Sequence, residues 1–113
     1  KDSTPGCTTQ ACDFRDMRED FAAKGAVVLG VSKDSLRSHG NFRAKQSLNF
    51  PLLSDPELTV HEAYGAWGEK KNYGRTYMGC IRTTVVIDED GKILSHKGNV
   101  RAKGNAERTL ELL

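Results

Sequence analysis

Ala11, Phe14, Met17 and Phe21 recur at helical spacing and predict a helix from about Pro5 to Ala23, ended by Gly25. Ala26-Val27-Val28-Leu29-Gly30-Val31 is a short, almost wholly apolar run. It predicts a strand buried on both faces, as in a parallel or mixed sheet. Asp34 or Ser35 is then placed to cap a helix from about Leu36 to Ser47, with a thin apolar stripe of Leu36, Phe42 and Leu48. Phe50-Pro51-Leu52-Leu53 reads as a brief extended piece, with Pro51 at an edge or a strand start. Asp55-Pro56 is expected to cap a helix that ends near Tyr64-Gly65.

From Ala66 to Gly79 the chain is rich in Gly and Lys, with Trp67, Tyr73 and Tyr77 spaced through it, and reads as a long surface loop. Arg82 to Ile87 predicts a second strand with a buried interior. Asp88-Glu89-Asp90-Gly91 predicts a turn, and Lys92 to Lys97 the returning strand of a hairpin. Asn105 is expected to cap a last helix, Ala106 to Leu113, with Leu110 and Leu113 on one side. Alternating helical and strand segments imply one α/β domain over 1–113, a sheet with helices on its faces.

Composition narrows the class. The 113 residues suffice for one domain, and 37% hydrophobic with 28% charged is ordinary globular usage. No apolar run approaches the roughly 18 residues of a membrane span. Net charge is +2 with the signs interleaved, which does not predict a nucleic-acid partner. Three cysteines form no disulfide framework and favour a reducing compartment, taken as the cytoplasm. The chain opens at Lys1 rather than Met and stops at Leu113 without a C-cap, so both ends are expected to continue in a longer protein, where a targeting segment could also lie.

Candidate chemistry concentrates in Thr4 to Cys12. Thr4 suits an N-cap and Pro5 the first helical position, and a proline pushes the residue before it out of the α region. Cys7 then falls in the first helical turn, among unpaired N–H groups at the positive end of the helix dipole, where a thiol ionises most readily. An ordinary thiol titrates near about 8.5, so being mostly ionised at neutral pH requires a drop of roughly two units, or about 2.7 kcal/mol. A helix N-terminus supplies about 0.3–1 kcal/mol when exposed and about 2 when partly buried. A cation is therefore wanted. Arg82, at the start of a strand, is the best candidate. Arg15 lies too far along the helix to reach back, and Arg75 sits in the long loop.

Cys12, five positions after Cys7, groups with Asp16 and Glu19 on the polar side of the helix. Residues five apart in a regular helix have Cα atoms roughly 8–9 Å apart and side chains about 140° apart in azimuth. A disulfide needs Cα atoms within about 7 Å. If Cys7 and Cys12 bridge, the first turns must unwind. The competing bland reading, small buried hydrophobes, fits Cys7 on spacing and Cys12 badly. Cys80, two before Arg82, reads as packing or a spare thiol. No metal site is predicted: C-x4-C lacks a second ligand pair, and His39, His61 and His96 read as surface helix positions or loops.

Thr4-Pro5-Gly6-Cys7-Thr8, Cys12 and Arg82-Thr83-Thr84 together resemble a peroxiredoxin of the peroxiredoxin Q class, also called bacterioferritin comigratory protein. Tyr64-Gly65-Ala66-Trp67-Gly68-Glu69-Lys70 and Asp88-Glu89-Asp90-Gly91-Lys92-Ile93 are similar too, so the resemblance runs along the whole chain. It implies a thioredoxin-like fold, a mixed sheet flanked by helices, with a proline and two or more strands ahead of Lys1 that this chain does not contain. It implies thiol-dependent reduction of hydrogen peroxide and organic hydroperoxides without a cofactor. Cys7 would be the peroxidatic and Cys12 the resolving cysteine, joined in an intramolecular disulfide, with Thr4 bonding the peroxide and Arg82 holding the thiolate. A thioredoxin- or glutaredoxin-type reductant would recycle the thiols, in a monomer or weak homodimer. Cys80 stands where the class leads one to expect an aliphatic residue. Two readings compete: a thiol–disulfide oxidoreductase, which the absence of C-x-x-C opposes, and a non-catalytic thioredoxin-like interaction domain.

Overall fold

The structure, a computed structural model, describes residues 2–113. Five helices and six strands follow in order. They are α1 (Pro5–Asp16), α2 (Arg18–Ala23), β1 (Gly30–Ser32), α3 (Leu36–Gln46), β2 (Leu52–Ser54), α4 (Thr59–Ala63), β3 (Trp67–Asn72), β4 (Arg75–Cys80), β5 (Thr84–Ile87), β6 (Ile93–Lys97) and α5 (Asn105–Glu111). The α/β class and the alternation are as expected. Parallel and antiparallel pairs both occur, but as three separate ladders: β1–β2 parallel, β3–β4 and β5–β6 antiparallel.

The expected first helix is two. Asn49 Nδ2 donates to the Arg15 carbonyl at 3.1 Å, which diverts an acceptor from the helical ladder, and the backbone leaves helical geometry at Met17. Gly25, at φ +74, ends α2 as predicted. Ala11 and Phe14 of α1 pack against a buried cluster of Phe42, Leu48 and Phe50, joined by Val28 and Leu52. Phe14 also stacks on the buried Phe21 at 5.5 Å. Thus α1 is held on the α3–β2 core by its C-terminal half.

The first strand is shorter and less buried than its apolar run implies. Only Gly30 to Ser32 pair, and Val27 and Leu29 are 84% and 56% exposed. The ladder to β2 begins at the Gly30 N–H, which donates to the Pro51 carbonyl, and the other edge of β1 has no hydrogen-bonded neighbour among the described residues. That edge lines a cleft of about 620 Å³ shared with Val85, Ile87 and Leu94 of the β5–β6 pair. Ile87, expected inside, is 46% exposed there.

Four further expectations are corrected. Residues 66–79 are not a loop: β3 and β4 form a regular hairpin around Tyr73-Gly74, both at positive φ, as a two-residue primed turn requires. Leu36 is 75% exposed, and buried His39 takes its place beside Phe42 on the inner face of α3. Helix α4 starts only at Thr59, after Leu58 in the left-handed region, so Asp55 reaches it through its carboxylate, which accepts from the His61 N–H at 2.8 Å. Asn105 is the first residue of α5 rather than its cap. Gly104 at φ +75 precedes it, and the Asn105 amide is used elsewhere. Of the two candidate caps of α3, Ser35 serves, accepting from the Ser38 N–H at 3.1 Å.

Candidate active site

Thr4 is extended (φ −88°, ψ 152°) and Pro5 opens α1, so the local rules set the helix start where expected. The Thr4 hydroxyl caps no first-turn N–H. It faces the Cys7 thiol, three residues on, and helps to lower it. Cys7 sits half-buried in the first turn.

Arg82 supplies the cation. Its Nη2 donates to Cys7 Sγ at 3.5 Å, across 75 residues of chain. It does not open the strand, which begins at Thr84. Arg82 lies in the linker from β4, fixed where its carbonyl accepts from the Val100 N–H at 2.9 Å. Burial works against ionising Cys7. The Thr4 hydroxyl and the Arg82 guanidinium work the other way, and the thiol is lowered from 9.0 to about 7. A substantial fraction is therefore thiolate at neutral pH, which is the nucleophilic form.

Gly6 is a site residue that the spacing argument passed over. A Cβ there would lie 2.9 Å from Arg82 Nη2, so a bare backbone lets the guanidinium lie across the helix start. The signal was available, since glycine in a first helical turn costs propensity and wants a reason.

Cys12 is half-buried on the other side of α1, its Sγ 3.6 Å from Gln46 Oε1 at the end of α3. Neither cysteine is in a disulfide, and both lie within one unbroken helix. Around them α1 is tied on two sides. Gln10 Oε1 accepts from buried Asn105 Nδ2, which also donates to Thr84 Oγ1, and Arg15 Nη1 donates to the Gln46 carbonyl at 2.6 Å. Arg15 thus serves α3, not Cys7. Arg75 is exposed at the turn end of the β3–β4 hairpin.

Cys80 closes β4, and the strand does not continue to Arg82. Its half-buried thiol is pushed up by burial, so it stays protonated near neutrality. Two of the three histidines are not surface groups. His39 and His61 are 5% and 3% exposed and lie against the Asp2 and Asp55 carboxylates, partners that sequence spacing did not suggest. His96 is exposed and bonds the Tyr64 carbonyl. Among the described residues no group of three or more His, Cys, Asp or Glu is placed to hold a metal, and no helix is long and apolar enough to cross a membrane.

Residues 1–96 match the AhpC/TSA family. The chain is 53% identical over 106 residues to the putative peroxiredoxin Rv2521 of Mycobacterium tuberculosis, covering 94% of this chain and 68% of that protein. It is 47% identical over 113 residues to peroxiredoxin Bcp of Bacillus subtilis, covering all of this chain and 72% of that one. Among solved structures, the bacterioferritin comigratory protein of Xanthomonas campestris, studied for its alkyl peroxide reduction activity, superposes with a TM-score of 0.92 at 40% identity, over 98% of this chain and 71% of its own.

Proposed function

This chain belongs to the AhpC/TSA family and is a peroxiredoxin of the peroxiredoxin Q class, a thiol-dependent peroxidase of thioredoxin-like fold, and on that premise we propose that Cys7 is its peroxidatic and Cys12 its resolving cysteine. The observation that carries the assignment is the 3.5 Å contact from Arg82 Nη2 to a first-turn thiol lowered to about 7.

The Cys7 thiolate attacks the terminal peroxide oxygen, the O–O bond breaks, and Cys7 becomes a sulfenic acid. The leaving oxygen departs as hydroxide or alkoxide and takes up a proton, giving water or an alcohol. Arg82 and the Thr4 hydroxyl stand where charge develops and stabilise it there. The Cys12 sulfur then attacks the Cys7 sulfur, the sulfenic oxygen leaves as water, and a disulfide forms. A dithiol reductant of thioredoxin or glutaredoxin type restores both thiols and is itself oxidised to a disulfide. The substrates are hydrogen peroxide and organic hydroperoxides. Three cysteines outside any disulfide fit a reducing compartment such as the bacterial cytoplasm.

The test is peroxide consumption coupled to a thioredoxin system. Cys7→Ser is expected to abolish it, and full turnover by Cys7→Ser overturns the assignment.

A further inference from the structure

Asp2 and His39 form a buried pair two residues ahead of Thr4, with side chains 8% and 6% exposed. His39 Nδ1 lies 2.7 Å from Asp2 Oδ2, and His39 Nε2 lies 3.0 Å from the Leu53 carbonyl. A carbonyl can only accept, so Nε2 carries a hydrogen and donates to it. The same Asp2 oxygen accepts from the Ser38 hydroxyl at 2.8 Å. The Asp2 N–H donates to Asp34 Oδ2 at 2.9 Å, and Ser32 Oγ holds that carboxylate at 2.8 Å. Asp2 is therefore clasped by α3 through its side chain and by the β1–α3 connection through its backbone.

The next residue shows what the clasp is for. Ser3 has φ +60°, a left-handed conformation that non-glycine residues rarely adopt. Thr4 follows in an extended conformation and Pro5 begins α1. The chain thus turns sharply within one residue, between a clamped Asp2 and a helix start whose first hydroxyl faces Cys7. Such a conformation persists only where its surroundings over-determine it.

We propose that Asp2 and His39 are positioning residues for peroxide attack: they hold the strained turn at Ser3 that sets the Thr4 hydroxyl against the Cys7 sulfur. The proposal rests on the assignment of Cys7 and Thr4 above. The pair's hydrogen bonds run to α3, the β1–α3 connection and the Leu53 carbonyl. Their effect reaches the chemistry through the Ser3 turn, so reactions that need only the thiolate should be nearly indifferent to them.

Asp2→Asn and His39→Gln test this in the full chain with two rates and one conformational readout. The rates are single-turnover oxidation of Cys7 by hydrogen peroxide and alkylation of Cys7 by iodoacetamide, each read from peptide masses. The readout is the NMR coupling constant that reports φ at Ser3. Each variant is expected to slow peroxide attack about tenfold, as loss of a charge-assisted hydrogen bond implies, with a much smaller change in alkylation and a shift of Ser3 toward negative φ. The double variant is expected to be no slower than the worse single. Glycine adopts positive φ freely, so Ser3→Gly in the Asp2→Asn chain should recover most of the loss. An unchanged peroxide rate, equal falls in both rates, or an unmoved Ser3 coupling overturns the proposal. If His39→Gln does not fold, Asp2→Asn and its Ser3→Gly rescue decide alone. If wild-type Cys7 is not oxidised by peroxide, the peroxidase assignment of Cys7 falls, while the Ser3 coupling still decides whether the pair holds the turn.

Discussion

Arg82 Nη2 meets Cys7 Sγ at 3.5 Å, and the two residues are brought together by the start of a helix and a short linker rather than by two adjoining regular elements. The helix start alone leaves the thiol short of the required shift, so the guanidinium should carry a measurable part of it. Removing a cation beside a thiol raises its pKa. Arg82→Gln is therefore expected to move the midpoint of Cys7 alkylation upward from about 7 toward 9.0. Each unit of that rise cuts the thiolate fraction at pH 7 by up to about tenfold. The pH profile of iodoacetamide alkylation, read on the Cys7 peptide, measures it. A midpoint that stays in place would remove Arg82 from the activation of Cys7.

Gly6 separates stability from activity. Alanine is better than glycine inside a helix by about 1 kcal/mol, so Gly6→Ala should not lower the melting temperature. Its Cβ, however, meets the far end of Arg82 at 2.9 Å, and a flexible guanidinium yields by moving off the sulfur. The expected outcome is an intact fold with peroxide attack slowed several-fold and a raised Cys7 midpoint. Thermal denaturation and single-turnover kinetics on the same sample check both halves. A variant that is unchanged in rate would mean that Arg82 has another path to Cys7.

The helix-start chemistry was legible because it is local: Thr4, Pro5 and Cys7 obey rules that operate within one turn. Arg82 was legible as a need for a cation near a predicted strand, although the strand begins two residues later. The β3–β4 hairpin was missed because Gly68, Glu69, Lys70 and Lys71 lack the apolar alternation of a half-buried strand, and both of its faces are largely polar or exposed. Its one usable signal was Asn72-Tyr73-Gly74, a tight-turn sequence. The buried histidines were illegible for a different reason. His39 finds its carboxylate 37 residues away, and no spacing rule links such a pair.

On the proposed assignment, resolution of Cys7 by Cys12 requires α1 to come apart between them, since their spacing in an intact helix exceeds disulfide reach. This helix is cheap to open: none of its residues is fully buried, and it carries Gly6, Thr8 and Thr9, all weak helix formers. Thr9 is exposed, so Thr9→Ala strengthens the helix without removing a buried contact. Thr9→Ala is expected to leave peroxide attack unchanged and to slow disulfide formation two- to threefold, about what a few tenths of a kcal/mol in propensity implies. Stopped-flow separation of the two phases measures it. Cys12→Ser should complete one oxidation and stall as the sulfenic acid, and the oxidised wild type should be lighter by two hydrogens. Equal speed of the second phase in Thr9→Ala would show that helix opening does not limit resolution.

The buried Asp55–His61 pair should govern the acid limit of stability. Burial disfavours an ionised Asp55, but the His61 ring at 2.6 Å and backbone N–H groups of α4 override it and hold the carboxyl below its ordinary 3.8. A carboxyl depressed in the folded state stabilises fully above its unfolded value, and that contribution is lost as pH falls through the folded value. In this window the unfolded chain binds the proton more readily than the native one, so stability drops below about pH 4. Asp34, also held low, adds to the slope with the same sign. Asp55→Asn is therefore expected to melt lower than wild type at pH 7, yet to lose less between about pH 5 and pH 3, with part of the slope remaining from Asp34. Melting temperatures of the two chains across that range decide it, and parallel curves would mean that Asp55 keeps the same proton affinity folded and unfolded.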